Sequence, residues 1–122
     1  MSGTLAAGFL SAAAQAAPNV KVIYIGGWDC PPCMQWKNTY KAKWLASPEF
    51  RRVQWIEVEA PKLKEAYQER YWPDELKTIL DQIPRKNGTP RFLIVRSGKI
   101  VSNEFGTGKW TTTMTNLKKV LG

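Results

Sequence analysis

The sequence predicts a single α/β domain in which strands alternate with helices. The chain has 122 residues, about the length of one domain and too short for two ordinary ones. Hydrophobic residues make up 43% of it, enough to build a core, which argues against an intrinsically disordered chain. Strand-like and helix-like patterns follow one another in the order β-α-β-α-(α)-β-β-α, and no repeat or linker interrupts them after residue 17.

The first half of that pattern consists of two predicted strands around one helix. Residues 20–25 are β-branched and aromatic and end at Gly26-Gly27, which predicts a strand. Beyond Cys30, apolar residues recur at the spacing of an amphipathic helix, which Ser47-Pro48 closes. The residues of this stripe are Cys33, Trp36, Tyr40 and Trp44. Residues 53–58 alternate between apolar and polar and predict a second strand.

Two helical segments are predicted to follow, over residues 62–71 and 73–83. Pro73 suits the first turn of the second segment, because the first N–H groups of a helix have no intrahelical partner. The apolar residues on one face of this segment are Leu76, Ile79, Leu80 and Ile83.

The last third of the chain predicts a hairpin and a helix. Residues 92–95 form a short, fully apolar strand, Ser97-Gly98-Lys99 a turn, and residues 100–105 the partner strand. The final helix is predicted to start near Thr111, whose side chain can cap it. The residues that this helix is expected to bury are Met114, Leu117 and Leu121.

The N-terminal segment, residues 1–17, has the pattern of the rear of a secretory signal peptide. It carries no charge, residues 5–10 are apolar, and Ala14-Gln15-Ala16 matches an A-x-A cleavage pattern. It lacks the basic residues that normally open such a peptide, so an alanine-rich helix is the alternative. The expectation is therefore a single domain over residues 18–122, periplasmic or otherwise exported, and cytoplasmic if the segment is not a signal peptide.

Composition excludes several kinds of chemistry. The chain has no histidine, which rules out hydrolases with a histidine base and histidine-ligated metal sites. Its two cysteines are too few for a disulfide-dense scaffold, and a four-ligand zinc site would need two carboxylates to complete it, which makes such a site improbable. We therefore expect neither a metal nor a cofactor, and the two cysteines are the feature to explain.

Cys30-Pro31-Pro32-Cys33 stands where the first predicted strand has ended and the first helix begins. There the free amides and the positive end of the helix dipole favour a thiolate at Cys30, the species that attacks disulfides. Cys33, one turn further on, can resolve the resulting mixed disulfide. One alternative is a structural disulfide, although closing a loop of about four residues removes only roughly 2 kcal/mol of chain entropy. The other is a reduced, buried pair, but Pro-Pro at this junction favours an exposed nucleophile.

These motifs resemble the thioredoxin superfamily over about residues 20–122. The resemblance rests on Trp28-Asp29-Cys30-Pro31-Pro32-Cys33 ahead of a helix and on Gly88-Thr89-Pro90 directly before a strand. It implies a central mixed sheet of about four strands flanked by helices, with Pro90 in the cis form against the cysteines. It also implies a groove for an extended peptide substrate. The residues implied to bind that substrate are Trp28, Pro31, Pro32, Thr89 and Pro90. The alternative for Pro90 is an ordinary loop proline after Asn87-Gly88.

The sequence departs from the family pattern in three ways. Asp29 stands between Trp28 and Cys30, where its charge would oppose a thiolate unless it turns away to cap the helix. The preceding strand offers only Tyr24 and Lys21 where thioredoxins have a buried aspartate. The span from Cys33 to Pro90 is longer by roughly one helix, which predicts an extra helix before the cis-proline strand.

The predicted function is thiol–disulfide exchange with cysteine-containing proteins, through Cys30 as nucleophile and Cys33 as resolving thiol. Pro31 and Pro32 have no N–H, so only the amides of Cys33 or Met34 can donate to Cys30. Few donors, together with Asp29, place the pair on the reducing or isomerising side, recharged by an upstream thiol reductant. The alternative is a non-catalytic binding module for a soft metal such as Cu(I), or a peptide chaperone, with Met34 the only added soft ligand.

The net charge of +8 does not indicate a nucleic-acid partner, because the basic residues are scattered and no recognition motif accompanies them. It favours acidic protein partners. We expect a monomer without stable membrane insertion of the mature domain, and a core position for most of the six tryptophans except Trp28.

Overall fold

The computed structural model describes residues 19–122. Within this range four strands form one sheet in the order β2-β1-β3-β4. The strands are β1 (Val20–Gly27), β2 (Gln54–Ala60), β3 (Arg91–Arg96) and β4 (Lys99–Phe105). β1 pairs with β2 in parallel and with β3 antiparallel, and β3 pairs with β4 antiparallel. The predicted mixed sheet is confirmed.

β1 lies in the interior of the sheet, and both of its faces are covered. Val22 and Tyr24 face a core cluster shared with two helices, whereas Ile23 and Ile25 face a second cluster on the opposite side. All four side chains are fully buried. This double burial explains why the strand is a continuous apolar run rather than an alternating one.

The first helix, α1, spans residues 31–45 and contains a π-helical turn. Its parts are α-helical Pro31–Trp36, π-helical Lys37–Lys41 and α-helical Ala42–Leu45. Of the predicted apolar stripe, Cys33, Trp36 and Trp44 are buried and Tyr40 is half-buried. Lys37 and Lys41 of the same helix form ion pairs with Glu59 and Glu57 of β2, respectively.

The helix predicted over residues 62–71 is wrong. The chain forms two short 3₁₀ turns there, Leu63–Glu65 and Glu69–Tyr71, separated by Gln68 in an extended conformation. Tertiary contacts decide this path, because Ala66 and Trp72 are both buried and the Trp72 indole N–H donates to the Ala66 carbonyl at 2.8 Å.

The helix predicted over residues 73–83 is shorter than expected. A 3₁₀ turn, Asp74–Leu76, precedes α2, which spans Lys77–Gln82. Its apolar face is confirmed, since Leu76, Ile79, Leu80 and Ile83 are all buried against the second core cluster. The extra length before Pro90 therefore consists of three 3₁₀ turns and one short α-helix.

The C-terminal hairpin and helix are close to expectation. Ser97 and Gly98 form a two-residue turn with positive φ at both positions, and Lys99 already belongs to β4. The last helix, α3, spans Trp110–Leu121 and continues directly from a 3₁₀ turn, Thr107–Lys109. The predicted cap at Thr111 is wrong, because packing of Trp110 against Trp36 starts the helix one residue earlier and places Thr111 inside it.

The core on the α1 and α3 side of the sheet is aromatic. Trp36 packs on Tyr24, Phe92 and Trp110 with 5.0 to 5.5 Å between ring centroids. Trp28 is the exception expected among the tryptophans, with 68% of its surface exposed. Leu117 is buried in this cluster. The other two residues predicted to be buried on α3, Met114 and Leu121, are half-buried.

The predicted signal peptide, residues 1–17, lies outside the described residues. No helix within residues 19–122 is long and apolar enough to cross a membrane.

Candidate active site

The two cysteines lie at the junction between β1 and α1, as the sequence predicts. β1 ends at Gly27, Cys30 is the N-cap residue of α1, and Pro31 and Pro32 occupy its first two positions. Cys30 and Cys33 form a disulfide with 5.2 Å between their Cα atoms. Both partners of a redox pair are therefore held within one helical turn.

Cys30 is not the exposed residue that the Pro-Pro dipeptide predicts. Only 1% of its surface is exposed, and Cys33 is fully buried. The segment around Thr89 packs against Cys30, which accounts for this burial. The exposed surface at the junction belongs instead to Trp28, Pro31 and Pro32.

Two donors reach the sulfur of Cys30. The backbone N–H of Cys33 donates at 3.1 Å, one of the two amides that the sequence left available. The other amide, of Met34, donates to the Cys30 carbonyl instead. The second donor is the hydroxyl of Thr89, at 3.3 Å. In the sequence, the signal for this donor is the threonine directly before Pro90.

The segment that carries Thr89 lies directly against the disulfide. The Thr89–Pro90 peptide bond is cis, and both residues are buried. Gly88, just before them, has a φ of +89°, and a Cβ there would lie 2.6 Å from the ring of Phe105. Glycine is thus required at this position by its backbone conformation as well as by the neighbouring ring.

The buried side chain of Arg91 anchors the segment that carries Thr89 through a network of hydrogen bonds. The Arg91 guanidinium donates to the Asn87 carbonyl at 2.7 Å, to Asn103 Oδ1 at 2.6 Å and to Tyr67 Oη at 2.7 Å. The Tyr67 hydroxyl in turn donates to the Gly88 carbonyl at 2.6 Å. Burial raises the pKa of Tyr67, and Arg91 opposes that rise. No local pattern in the sequence pointed to this network.

Asp29 turns away from Cys30, but not to cap the helix. Its Oδ1 accepts a hydrogen bond of 2.6 Å from the backbone N–H of Leu63, in the first turn after β2. The backbones are close here, since a Cβ on Gly27 would lie 2.5 Å from Leu63 Cα. Asp29 therefore ties the loop before the cysteines to the segment that follows β2.

The residues implied to bind substrate divide into two groups. Trp28, Pro31 and Pro32 are exposed around the disulfide, and the Pro32 carbonyl accepts a hydrogen bond from the Thr107 hydroxyl. Thr89 and Pro90 are buried beside it, and of these Thr89 contacts the Cys30 sulfur.

Tyr24 occupies the part of β1 that faces the disulfide. Its hydroxyl donates to Glu59 Oε2 at 2.9 Å, and Lys37 Nζ lies 2.5 Å from the same oxygen. Tyr24, hydrogen-bonded to Glu59, thus lies on the strand in which the sequence offers no buried aspartate.

Within residues 19–122, no group of three or more His, Cys, Asp or Glu side chains could hold a metal ion.

A cavity of about 660 Å³ lies apart from the disulfide, between the end of α1 and α3, and is lined in part by Tyr40, Trp44, Trp110 and Met114. None of the Cys30–Cys33 residues lines it, so it is not part of the candidate active site.

Comparison with known proteins gives matches among solved structures. No family model and no curated protein matches the sequence. The short form of thioredoxin f from spinach chloroplast aligns with a TM-score of 0.58 at 16% identity, over 94% of this chain and 88% of that one. The thioredoxin of Malassezia sympodialis gives 0.56 at 16% identity, over 84% and 80% of the two chains. The oxidised thioredoxin of Plasmodium falciparum gives 0.55 at 11%, over 95% and 94%.

Because the sequence identities are this low, the likeness to these structures shows the fold alone. The sheet order and the parallel pairing of β1 with β2 agree with it. The chain therefore has the thioredoxin fold, with a Cys-X-X-Cys disulfide at the start of its first helix.

Proposed function

We propose that the protein is a thiol–disulfide oxidoreductase that exchanges disulfides with cysteine-containing proteins. The observation that carries the proposal is the environment of Cys30. Its sulfur caps α1 and accepts hydrogen bonds from the Cys33 amide and the Thr89 hydroxyl. Hydrogen bonds to a sulfur stabilise its thiolate, which is the form that attacks a disulfide.

The reaction requires only the two cysteines of the chain. The Cys30 thiolate attacks one sulfur of a substrate disulfide, forms a mixed disulfide and releases the other sulfur as a thiol. Cys33 then attacks Cys30, which closes the disulfide seen here and releases the second substrate thiol. An external thiol reductant returns the pair to its reduced state.

We place the pair on the reducing or isomerising side of this chemistry. Both donors to Cys30 Sγ are neutral groups, and neutral donors stabilise a thiolate less than a cation does. Equilibration with a glutathione buffer should give a potential between about −270 and −180 mV, the range from thioredoxin to protein disulfide isomerase. A value near −120 mV, typical of a strong oxidant, contradicts this assignment.

The activity is tested by reduction of insulin with dithiothreitol as the electron donor. We expect turnover above the uncatalysed rate by the wild-type chain and none by Cys30→Ser. Absence of turnover combined with stoichiometric Cu(I) uptake would identify a soft-metal binding module instead. In the native host, Cys33→Ser should trap mixed disulfides, and the trapped proteins would identify the substrates.

We further propose that the protein acts outside the cytoplasm. The support is the apolar, uncharged segment over residues 1–17 with its A-x-A pattern. Fractionation of the native host, with N-terminal sequencing of the mature chain, tests this. Cleavage after about Ala16 is the expected result, and an intact cytoplasmic chain contradicts it.

A further inference from the structure

A buried hydroxyl group, that of Tyr24, lies on the same side of the sheet as Cys33. The Tyr24 side chain is fully buried, and its ring stacks on Trp36 with 5.0 Å between centroids and 15° between planes. Burial, followed by the charge of Glu59, raises the pKa of Tyr24 above its ordinary value. The phenol is therefore a neutral hydroxyl that donates to the carboxylate of Glu59 at 2.9 Å.

Gly26 leaves the space between this hydroxyl and the disulfide open. A methyl group placed on Gly26 would lie 2.1 Å from Tyr24 Oη and 3.1 Å from Cys33 Sγ. Both atoms thus border the same small volume, and any side chain at residue 26 would separate them. Because residue 26 is glycine, no side chain of its own fills the space between the hydroxyl and the sulfur.

Glu59 connects the buried hydroxyl to solvent. It stands on β2 opposite Gly26 in the parallel register, and its side chain is 18% exposed. Lys37 Nζ, on α1, lies 2.5 Å from the same carboxylate oxygen that Tyr24 contacts. The result is a continuous chain of polar groups from the neighbourhood of Cys33 to the surface.

Thiol–disulfide exchange requires such a connection at Cys33. A thiol attacks a mixed disulfide only after it has lost its proton. Cys33 is fully buried, so bulk water is poorly placed to accept that proton. A carboxylate reached through a hydroxyl group is a suitable acceptor in the protein interior.

We propose that the Tyr24 hydroxyl and the Glu59 carboxylate form the proton path that serves Cys33 during disulfide exchange. The inference rests on the proposed oxidoreductase function. Tyr24 relays the proton, Glu59 receives it and releases it to solvent, and Lys37 positions the carboxylate.

The S–H proton of Cys33 passes to Tyr24 Oη while the Tyr24 O–H proton passes to Glu59. The Cys33 thiolate then forms the S–S bond with Cys30, and the bond between Cys30 and the substrate sulfur breaks. The enzyme pair is oxidised, and the substrate sulfur leaves as a thiolate that takes a proton from water. When the enzyme disulfide is reduced again, the proton moves in the opposite direction.

The other charged groups beside this path are Glu57, on β2, and its ion-pair partner Lys41, on α1. Glu57 lies two residues before Glu59 and adds a smaller contribution to the raised pKa of Tyr24. Its carboxylate is engaged by Lys41 at 2.9 Å and by the Trp55 indole N–H at 3.1 Å. Because Glu57 makes no hydrogen bond to Tyr24, it provides a matched control.

The experiment follows reduced protein mixed with excess dithiobis(nitrobenzoate) in a stopped-flow instrument. Attack by Cys30 releases one coloured thiolate in a bimolecular phase, and attack by Cys33 releases a second in a unimolecular phase. We expect Tyr24→Phe and Glu59→Gln to slow the unimolecular phase about 10²-fold at neutral pH, the lower end for a positioned proton acceptor. The loss should diminish at higher pH, where hydroxide deprotonates Cys33 directly. Glu57→Gln should retain the wild-type pH profile.

A second measurement needs no substitution. If protons move in the step, the unimolecular phase of the wild-type protein should be slower in heavy water than in light water. Equal rates in the two solvents overturn the proton path, as do pH profiles of Tyr24→Phe and Glu59→Gln that match Glu57→Gln. Glu59→Asp should restore part of the rate lost in Glu59→Gln, which a merely structural role of Glu59 does not predict.

Failure of the underlying function is separately visible. If Cys30 releases no thiolate from the reagent in the bimolecular phase, the oxidoreductase proposal fails and the proton path falls with it. If both phases occur but Tyr24→Phe and Glu59→Gln have the same pH profile as Glu57→Gln, the proton path is wrong and the oxidoreductase proposal stands.

Discussion

The hydroxyl of Thr89 donates a hydrogen bond to the sulfur of Cys30 across 3.3 Å, although the two residues are 59 positions apart in the chain. The contact joins the segment before β3 to the N-cap residue of α1. It gives Cys30 a donor that the Pro-Pro dipeptide cannot supply.

Replacing Thr89 with valine should reduce the reactivity of Cys30. Valine keeps the shape of the side chain but loses the hydroxyl, so the thiolate loses a hydrogen bond of about 1 kcal/mol. A shift of one pKa unit corresponds to about 1.4 kcal/mol, so the thiolate fraction at neutral pH should fall several-fold. The measurement is the rate of alkylation of Cys30 against pH in reduced protein.

Thr89→Ser is the control for that substitution, because it keeps the hydroxyl. It should react close to the wild-type rate. If Thr89→Val also reacts at the wild-type rate, the hydroxyl does not stabilise the thiolate.

Substitutions of Asp29 should separate its hydrogen bond from its charge. Asp29→Ala removes the acceptor for the Leu63 N–H and should lower the free energy of unfolding by about 1 kcal/mol. Asp29→Asn keeps an acceptor oxygen without the charge and should be nearly as stable as the wild type. Urea unfolding of both variants measures this difference, and equal stability of the two would show that the bond to Leu63 is immaterial.

Arg91→Lys should destabilise the domain although the charge is retained. A lysine cannot reach three separate acceptors in the geometry of a guanidinium, so groups such as the Asn87 carbonyl lose their partner. Each buried polar group left unpaired costs about 1–3 kcal/mol. We expect a loss of at least about 2 kcal/mol in the free energy of unfolding. The exposed Arg85→Lys serves as the control and should change the stability by less than about 0.5 kcal/mol.

Trp28→Ala should weaken the interaction with protein substrates and leave the fold intact. The side chain is 68% exposed, so its removal should change the stability by less than about 0.5 kcal/mol. KM for insulin should rise, whereas the reaction with a small disulfide reagent, which needs no groove, should keep its rate. Val101→Ala, at another exposed apolar position on β4, should leave both reactions unchanged. An unaltered KM for Trp28→Ala would remove Trp28 from the substrate surface.

The order of the elements was predictable because each depends on local patterns. β1 and the apolar stripe of α1 follow from periodicity and from the residues that end them. The segment after β2 was not predictable in the same way. Its sequence is compatible with a helix, but burial of Ala66 and Trp72 and their shared hydrogen bond impose an extended residue between two turns.

The candidate site shows the same division. Cys30 and Cys33 follow from their spacing and from their position at a strand-to-helix junction. The partners of neighbouring residues do not, because Asp29 bonds to Leu63 and Tyr24 to Glu59 through the pairing of β1 with β2.

The sequence by itself determined that one α/β domain carries a pair of cysteines at the start of its first helix. Spacing, periodicity and the absence of histidine suffice for that, because they act over a few residues. Only the tertiary structure decided which groups surround the pair: the Thr89 hydroxyl at Cys30, and the Tyr24–Glu59 pair near Cys33. These contacts depend on the register of strands that are distant in the chain, and strand register arises from packing of the whole sheet rather than from any local pattern.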